Sequence, residues 1–265
     1  MKKILFTVTA ILCVGSLLAQ MDKGRVNYSR TMQMQVRLSG AAEEFQNMLP
    51  KSRTDNFELH FGNNQSLWRQ AEREMEDETI NTGGGIQFRM VVSGMDDMVF
   101  TDFAKARRVE QREIMDKKFI IDDSIRPMKW KMTGENKTIL GHNCMKATAT
   151  LYSKRMQTVM TDGNMERKEV SDTSLVTAWF APGIPVSAGP GEYQGQLPGL
   201  ILELRVGDDR LVYTATEISP DVNLDIIKAP SGKKRYTQEE FNKEREKMME
   251  EMQRNNGGRR MIRMQ

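Results

Sequence analysis

Few residues in this chain can carry chemistry. The 265 residues hold two histidines, His60 and His142, and two cysteines, Cys13 and Cys144. His142 and Cys144 stand two apart, and an imidazole beside a thiol can serve as base and nucleophile, or as a pair of ligands for zinc or copper. Positions i and i+2 share a strand face only if the strand has already begun at His142. Gly141-His142-Asn143 is itself turn sequence, so the preferred reading is a turn followed by a small buried side chain at Cys144. His60 falls on the polar side of a predicted strand. A sulfur-only set is the other metal candidate. The chain has 21 methionines, and Met248, Met249 and Met252 lie close together on a predicted helix, where thioethers suit Cu(I). Methionine also fills gaps in cores, the preferred reading for Met32, Met34, Met90, Met128 and Met132. No catalytic constellation can be assembled from these parts, and neither an enzyme nor a cofactor is predicted.

The stretch Gly189 to Leu204 is marked by backbone geometry instead. Pro190 and Pro198 lack a backbone donor and have a fixed φ. Gly189, Gly191, Gly195 and Gly199 permit positive φ or close backbone approach. Pro198-Gly199 reads as the central pair of a type II turn. The apolar run Leu200-Ile201-Leu202 then predicts a strand covered on both faces, interrupted by Glu203. The stretch is read first as a corner delivering a central strand, and second as a loop that grips a partner through Tyr193 and Leu197. It lacks the Lys-Ser/Thr pair of a phosphate loop.

These residues need a scaffold, and most of the chain reads as short strands. Val26, Tyr28, Arg30, Met32, Met34, Val36 and Leu38 alternate with polar residues, predicting a long strand over 25–38. Ala41 to Leu49 reads as a short helix ending at Pro50. Phe57, Leu59 and Phe61 lead through Gly62-Asn63-Asn64 to Leu67-Trp68, a predicted hairpin. Arg69 to Gly85 is acidic and then glycine-rich, and reads as a solvated loop. Strand signals resume at Ile86–Val92, Met98–Phe103, Phe119–Ile121, Met128–Met132, Cys144–Leu151, Leu175–Phe180, Leu200–Val206 and Leu211–Ile218. Ala104 to Met115 is ambiguous between helix and strand. This spacing predicts an antiparallel sheet protein. A Thr237–Glu240 capping box then opens an amphipathic helix over 237–253, followed by a disordered basic tail over 254–265.

The first residues fit an export signal over 1–20: Lys2-Lys3, the apolar run Ile4–Leu18, then Ala19-Gln20. Leu12 before Cys13 is not a lipidation context. Cleavage would lower the formal net charge from +3 to about +1, too small to steer nucleic acid. It would also leave Cys144 with no disulfide partner. No later run is long enough for a membrane helix, so the mature chain is expected to be a soluble periplasmic or extracellular protein.

From Lys129 to Leu204 the motif order becomes specific. A Trp-centred segment, Leu140-Gly141-His142-Asn143-Cys144, Ala178-Trp179-Phe180, Ile184-Pro185, Gly189-Pro190 and Leu197-Pro198-Gly199-Leu200-Ile201 follow one another. The chain thereby resembles the GLPGLI family of extracytoplasmic bacterial proteins. Gln196 stands where the naming motif has glycine, and His142 where the family commonly has tyrosine. The resemblance implies a signal peptide, a β-rich domain and an envelope location, and it transfers no catalytic role. The expected architecture is a mainly β domain over 23–228, a curved antiparallel sheet or half-barrel resembling the lipoprotein carriers, with the short helix across its mouth. The expected role is non-enzymatic binding of an apolar ligand or an envelope protein partner, on a surface drawn from Trp130, His142, Cys144, Trp179, Gly189, Pro190, Tyr193, Leu197, Pro198 and Gly199. The alternative is copper or zinc handling by His142, Cys144, Met248, Met249 and Met252.

Overall fold

Strand pairing in this protein starts from two-residue turns. Asn63 and Asn64 both take left-handed φ, 53° and 58°, the geometry of a type I′ turn, whose twist matches that of the strands it joins. It connects β2 (Ser52–Gly62) to β3 (Gln65–Gln70), as expected. The computed structural model describes residues 21–33, 51–71, 79–82, 86–89, 97–114, 116–161 and 164–257. The other strands are β1 (Gly24–Gln33), β4 (Thr79–Thr82), β5 (Ile86–Arg89), β6 (Met98–Asp102), β7 (Arg107–Ile114), β8 (Lys117–Ser124), β9 (Lys131–Ile139), β10 (His142–Thr161), β11 (Asn164–Ala181), β12 (Leu200–Val206), β13 (Leu211–Ser219) and β14 (Arg235–Tyr236). Helix α1 spans Gln238–Gly257.

Twelve strands form one open sheet in the order β14-β8-β7-β6-β3-β2-β1-β13-β12-β11-β10-β9, and β4 pairs with β5 separately. The protein is mainly β, and the sheet does not close into a barrel. Neighbouring strands of the large sheet are antiparallel except β14 beside β8. Two meanders, one from each half of the chain, meet where β1 lies between β2 and β13, with Arg25 opposite both His60 and Ser219.

One face carries the main core, built from Val26, Tyr28, Leu59, Phe61, Trp68, Phe180, Leu204 and Tyr213. Trp68 and Tyr213 stand on strands three steps apart, about 14 Å in a flat sheet, yet their ring centroids are 5.8 Å apart. The sheet therefore bends around this face, with Phe57 and Tyr28 also against the Trp68 ring. At the far edge the helix lays Phe241 on Phe119 and Ile121. On the outer face, Ile227 and Leu224 cover Leu67, Phe100, Val109 and Ile120.

Several expectations need correction. His60 is buried, because the 224–227 segment makes the outer face dry there; Leu224 lies over Gly62 two residues along. The predicted loop over 69–85 contains β4, paired with β5. Arg107–Ile114 resolves as strand. Met32 and Met132 are exposed, not core. The helix begins as expected, with Glu240 N–H donating to Thr237 Oγ and Thr237 N–H to the Glu240 carboxylate. It continues through Arg254–Gly257, beyond the expected end at 253. The predicted helix over 41–49, the strand beyond Gln33, Met34, Met90, the export signal and the tail from 258 lie outside the described residues.

The two meanders are also tied by a side chain: Tyr28 Oη donates to Ile201 O at 2.6 Å in the buried core. Tyr28→Phe removes that buried hydrogen bond and is expected to cost about 1–2 kcal/mol of stability, measured by urea unfolding with no change in the denaturant slope.

Candidate functional site

The segment between β11 and β12, residues 182–199, folds back over the concave face and fills it. Ile184, Val186, Ala188, Tyr193 and Leu197 are buried in the main core. Burial pushes the Tyr193 hydroxyl above its ordinary titration range. Backbone buried away from a sheet must find other partners. Here Ile201 N donates to Ala188 O, Leu200 N to Ile184 O and Gly195 N to Ser187 O. Gln194, almost fully buried, accepts from Ser66 Oγ and donates to Gly191 O.

The glycines divide by mechanism. Gly191 and Gly195 have positive φ, 55° and 72°. Gly189 and Gly199 are there for space: a Cβ at Gly189 would sit 2.8 Å from Ile201 Cδ1, and one at Gly199 would sit 2.5 Å from Ala181 O. Pro198-Gly199 is not a type II turn, since Gly199 lacks the positive φ that turn requires. Instead Gly199 N donates to Leu197 O across Pro198, a tighter three-residue turn. The strand that follows is buried as expected. Glu203 interrupts it at tolerable cost because Lys137 Nζ and Arg205 Nε bind it at 2.8 Å each. Burial alone would raise its pKa, but these two cations hold the carboxyl below its ordinary value.

Gln196 acts as a clamp. Its Oε1 accepts from Met128 N at 2.9 Å and from Trp130 Nε1 at 3.4 Å, and its Nε2 donates to Arg126 O at 3.0 Å. The expected strand over Met128–Met132 is for this reason confined to its last two residues. Backbone groups that a neighbouring strand would pair are taken by the Gln196 amide, and β9 starts only at Lys131.

The turn before Cys144 is Leu140-Gly141, both left-handed at 48° and 79°, so His142 opens β10 and is not in the turn. Cys144 is fully buried, its S–H facing the His142 backbone carbonyl at 3.5 Å. Burial raises its pKa. Among the described residues no three His, Cys, Asp or Glu side chains gather where they could hold a metal ion. Of the three helix methionines, Met248 packs against Phe241, while Met249 and Met252 are exposed.

Sequence reasoning missed the outer face of β10 and β11. The two strands pair with each other from Met145–Phe180 to Thr161–Asn164, but β9 reaches only to Thr148 and β12 only from Val176. Residues 149–161 and 164–175 thus form a two-stranded arm, tied to the rest of the sheet at its base, where Gly207 N donates to Leu175 O. At its base Trp179 lies under Lys137 Nζ, 4.4 Å from the ring centroid, with Lys146 Nζ at 5.8 Å. Farther out on the same face stand Leu175, 57% exposed, and Tyr152, 79% exposed. The alternation of Trp179, Thr177, Leu175 and Thr173 was the available signal, but period-2 patterning does not say which face is covered.

The arrangement is that of a β-sheet protein with a plugged inner face and an apolar ridge on the outer one. Residues 130–203 match the model of a family described as a protein of unknown function (Porph_ging). The match begins at Trp130, ends at Glu203 and covers less than half of the chain. No curated protein matches the chain. No helix among the described residues is long and apolar enough to cross a membrane.

Two expectations follow. Gly199→Ala should destabilise by more than ~2 kcal/mol through overpacking against Ala181, whereas Pro198→Ala, at an exposed position, should cost less than ~1 kcal/mol; thermal unfolding compares them directly. Cys144 should resist iodoacetamide in the folded protein and label fully in guanidinium, read by peptide mass spectrometry.

Proposed function

We propose that the chain is an exported, non-enzymatic envelope protein of the GLPGLI kind that binds a protein partner on the outer face of β10 and β11. The observation that supports this best is the filled concave face. A half-barrel that carries an apolar ligand reserves that volume for its cargo. Here Ile184, Val186, Tyr193 and Leu197 occupy it, which favours the partner over the ligand. Exposed Leu175 and Tyr152, beside the lysine-covered Trp179, supply an aromatic and aliphatic patch of the kind that anchors protein interfaces. Export rests on the Lys2–Gln20 pattern, and the finer kinship on the motif order from Lys129 to Leu204. The metal reading has weaker support, since the Cys144 thiol is enclosed and Met248 is spent on packing.

Native mass spectrometry of protein taken from its own envelope tests this reading. The wild type should travel with a second polypeptide and begin at Gln20 or Met21. A Tyr152→Ser/Leu175→Ser variant should lose that polypeptide at an unchanged Tm. A bare monomer from the wild type would sink the proposal, and bound lipid in place of protein would restore the ligand reading.

A further inference from the structure

The large sheet has several edges, and one of them is left open. A sheet edge presents N–H and C=O groups that can pair with another chain, and proteins commonly blunt it. β14, at one end of the sheet, is only Arg235–Tyr236. β9, at the other end, is kinked: Thr133, Gly134 and Glu135 stand where the register allots Lys146 a single partner, and Gly134 takes a φ of 81°. On the arm, β11 is closed at its base by the β12–β13 turn, through Gly207 N on Leu175 O and the Arg210 guanidinium on Asp172 and Ser174. The β10 edge has none of these protections. From Ala149 to Thr161 it pairs with β11 in unbroken register, contains no proline or glycine, and meets no described strand on its other side.

The Gln196 clamp is the reason this edge is open. β9 pairs with β10 as far as Lys131 opposite Thr148. Continued in register, residues 130, 129 and 128 would lie along Ala149 to Leu151, but Gln196 holds Met128 N and Trp130 Nε1 instead. What remains is a two-stranded ribbon, which is marginal in water without a third strand. Alternate residues of a paired strand aim their backbone groups away from the partner strand, so β10 offers a ready ladder. The charge beside this ladder is one-sided. From Ala149 to Thr161 the strand has Lys154 and Arg155 and no acid. At its near end Lys129 and Lys131 are exposed and have no ion pair among the described residues, whereas Lys137 and Lys146 are matched by Glu203 and Glu135. A second copy pairing through the same edge would bring no acid to it in any register, so the charge favours a different chain.

We propose that the partner adds an acidic strand to the β10 edge between Ala149 and Thr161, by backbone pairing of the kind that extends a sheet. This rests on the reading of the β10–β11 face as a partner site and says how the partner is held. An added strand stands beside Thr150 and Tyr152 and carries the outer ridge of Leu175 and Tyr152 one strand further. The same partner then covers exposed Tyr152 with its side chains and the open ladder with its backbone, while its acids face Lys129 and Lys131.

Hydrogen exchange of the full chain, read by mass spectrometry, tests it. The probe is an eight-residue peptide alternating glutamate and valine. The comparators are the same peptide N-methylated throughout, and its lysine–valine counterpart. The acidic peptide should slow exchange over 149–161 and not over 131–139, and neither comparator should slow it. Lys129→Glu/Lys131→Glu, checked for an unchanged Tm, should weaken binding of the acidic peptide about fivefold or more. Slowing by the N-methylated peptide would show contact without strand addition, slowing by the lysine peptide would remove the charge selection, and slowing over 131–139 would put the strand on β9. Each of these overturns the proposal, as does no slowing at all. Slowing that needs no peptide and grows with protein concentration would give the edge to a second copy and overturn it equally. The outer-face reading is judged separately. A copurified polypeptide that is lost in Tyr152→Ser/Leu175→Ser but leaves 149–161 exchanging freely upholds that reading and sinks strand addition. A bare monomer sinks that reading, whatever the peptides do.

Discussion

The fold depends on burying an irregular segment without stranding its backbone. Loops normally stay at the surface because water satisfies their polar groups. Residues 182–199 go inside, and each device in their sequence eases the consequence. Pro182, Pro185, Pro190 and Pro198 contribute no N–H to satisfy. Donors that remain find partners close by, as Gly195 N does at Ser187 O, and the segment's own carbonyls take donors from the strand that follows, as Ala188 O does from Ile201 N. Gly189 and Gly199 let backbone approach where any side chain would collide. The Pro/Gly-rich stretch from Gly189 to Gly199 is thus a set of conditions for plugging a bent sheet with the chain's own backbone.

That plug decides which surfaces are left for function. With the concave face filled, and its far edge covered by Phe241, the open surfaces lie outside, on the face and free edge of the arm of β10 and β11. The seam where β1 joins the two meanders is built from residues about 190 positions apart in sequence, so it exists only in the finished sheet. Its row of Glu217, Asn27, Glu58 and Arg69 brings together side chains from four strands.

Much of the architecture was legible in the sequence. Strand periodicity located most strands of the large sheet but left β7 ambiguous and missed β14 and most of β9, and Gly62-Asn63-Asn64 marked the turn between β2 and β3. The Thr237–Glu240 pair marked the start of the helix. The errors share one cause. His60 looked solvent-facing, Met132 looked buried and Met128–Met132 looked like a strand because alternation reports two faces without saying what covers either. The covering pieces, Leu224 and Ile227 over the outer face around Gly62 and Leu67 and Gln196 over Trp130, come from segments whose local sequence carries no sign of where they will pack.

By itself the sequence determined the class of fold, the position of the Pro/Gly segment and the poverty of catalytic groups, since these follow from residue type and near-neighbour spacing. Tertiary structure alone decided that Gly199 is required for space and not for φ. It also decided that Cys144 is enclosed and that Gln196 replaces a strand partner. Each of these is a contact between residues far apart in the chain. Local patterning constrains φ, ψ and face, while the neighbour that completes or crowds a group is chosen only when the strands find their register.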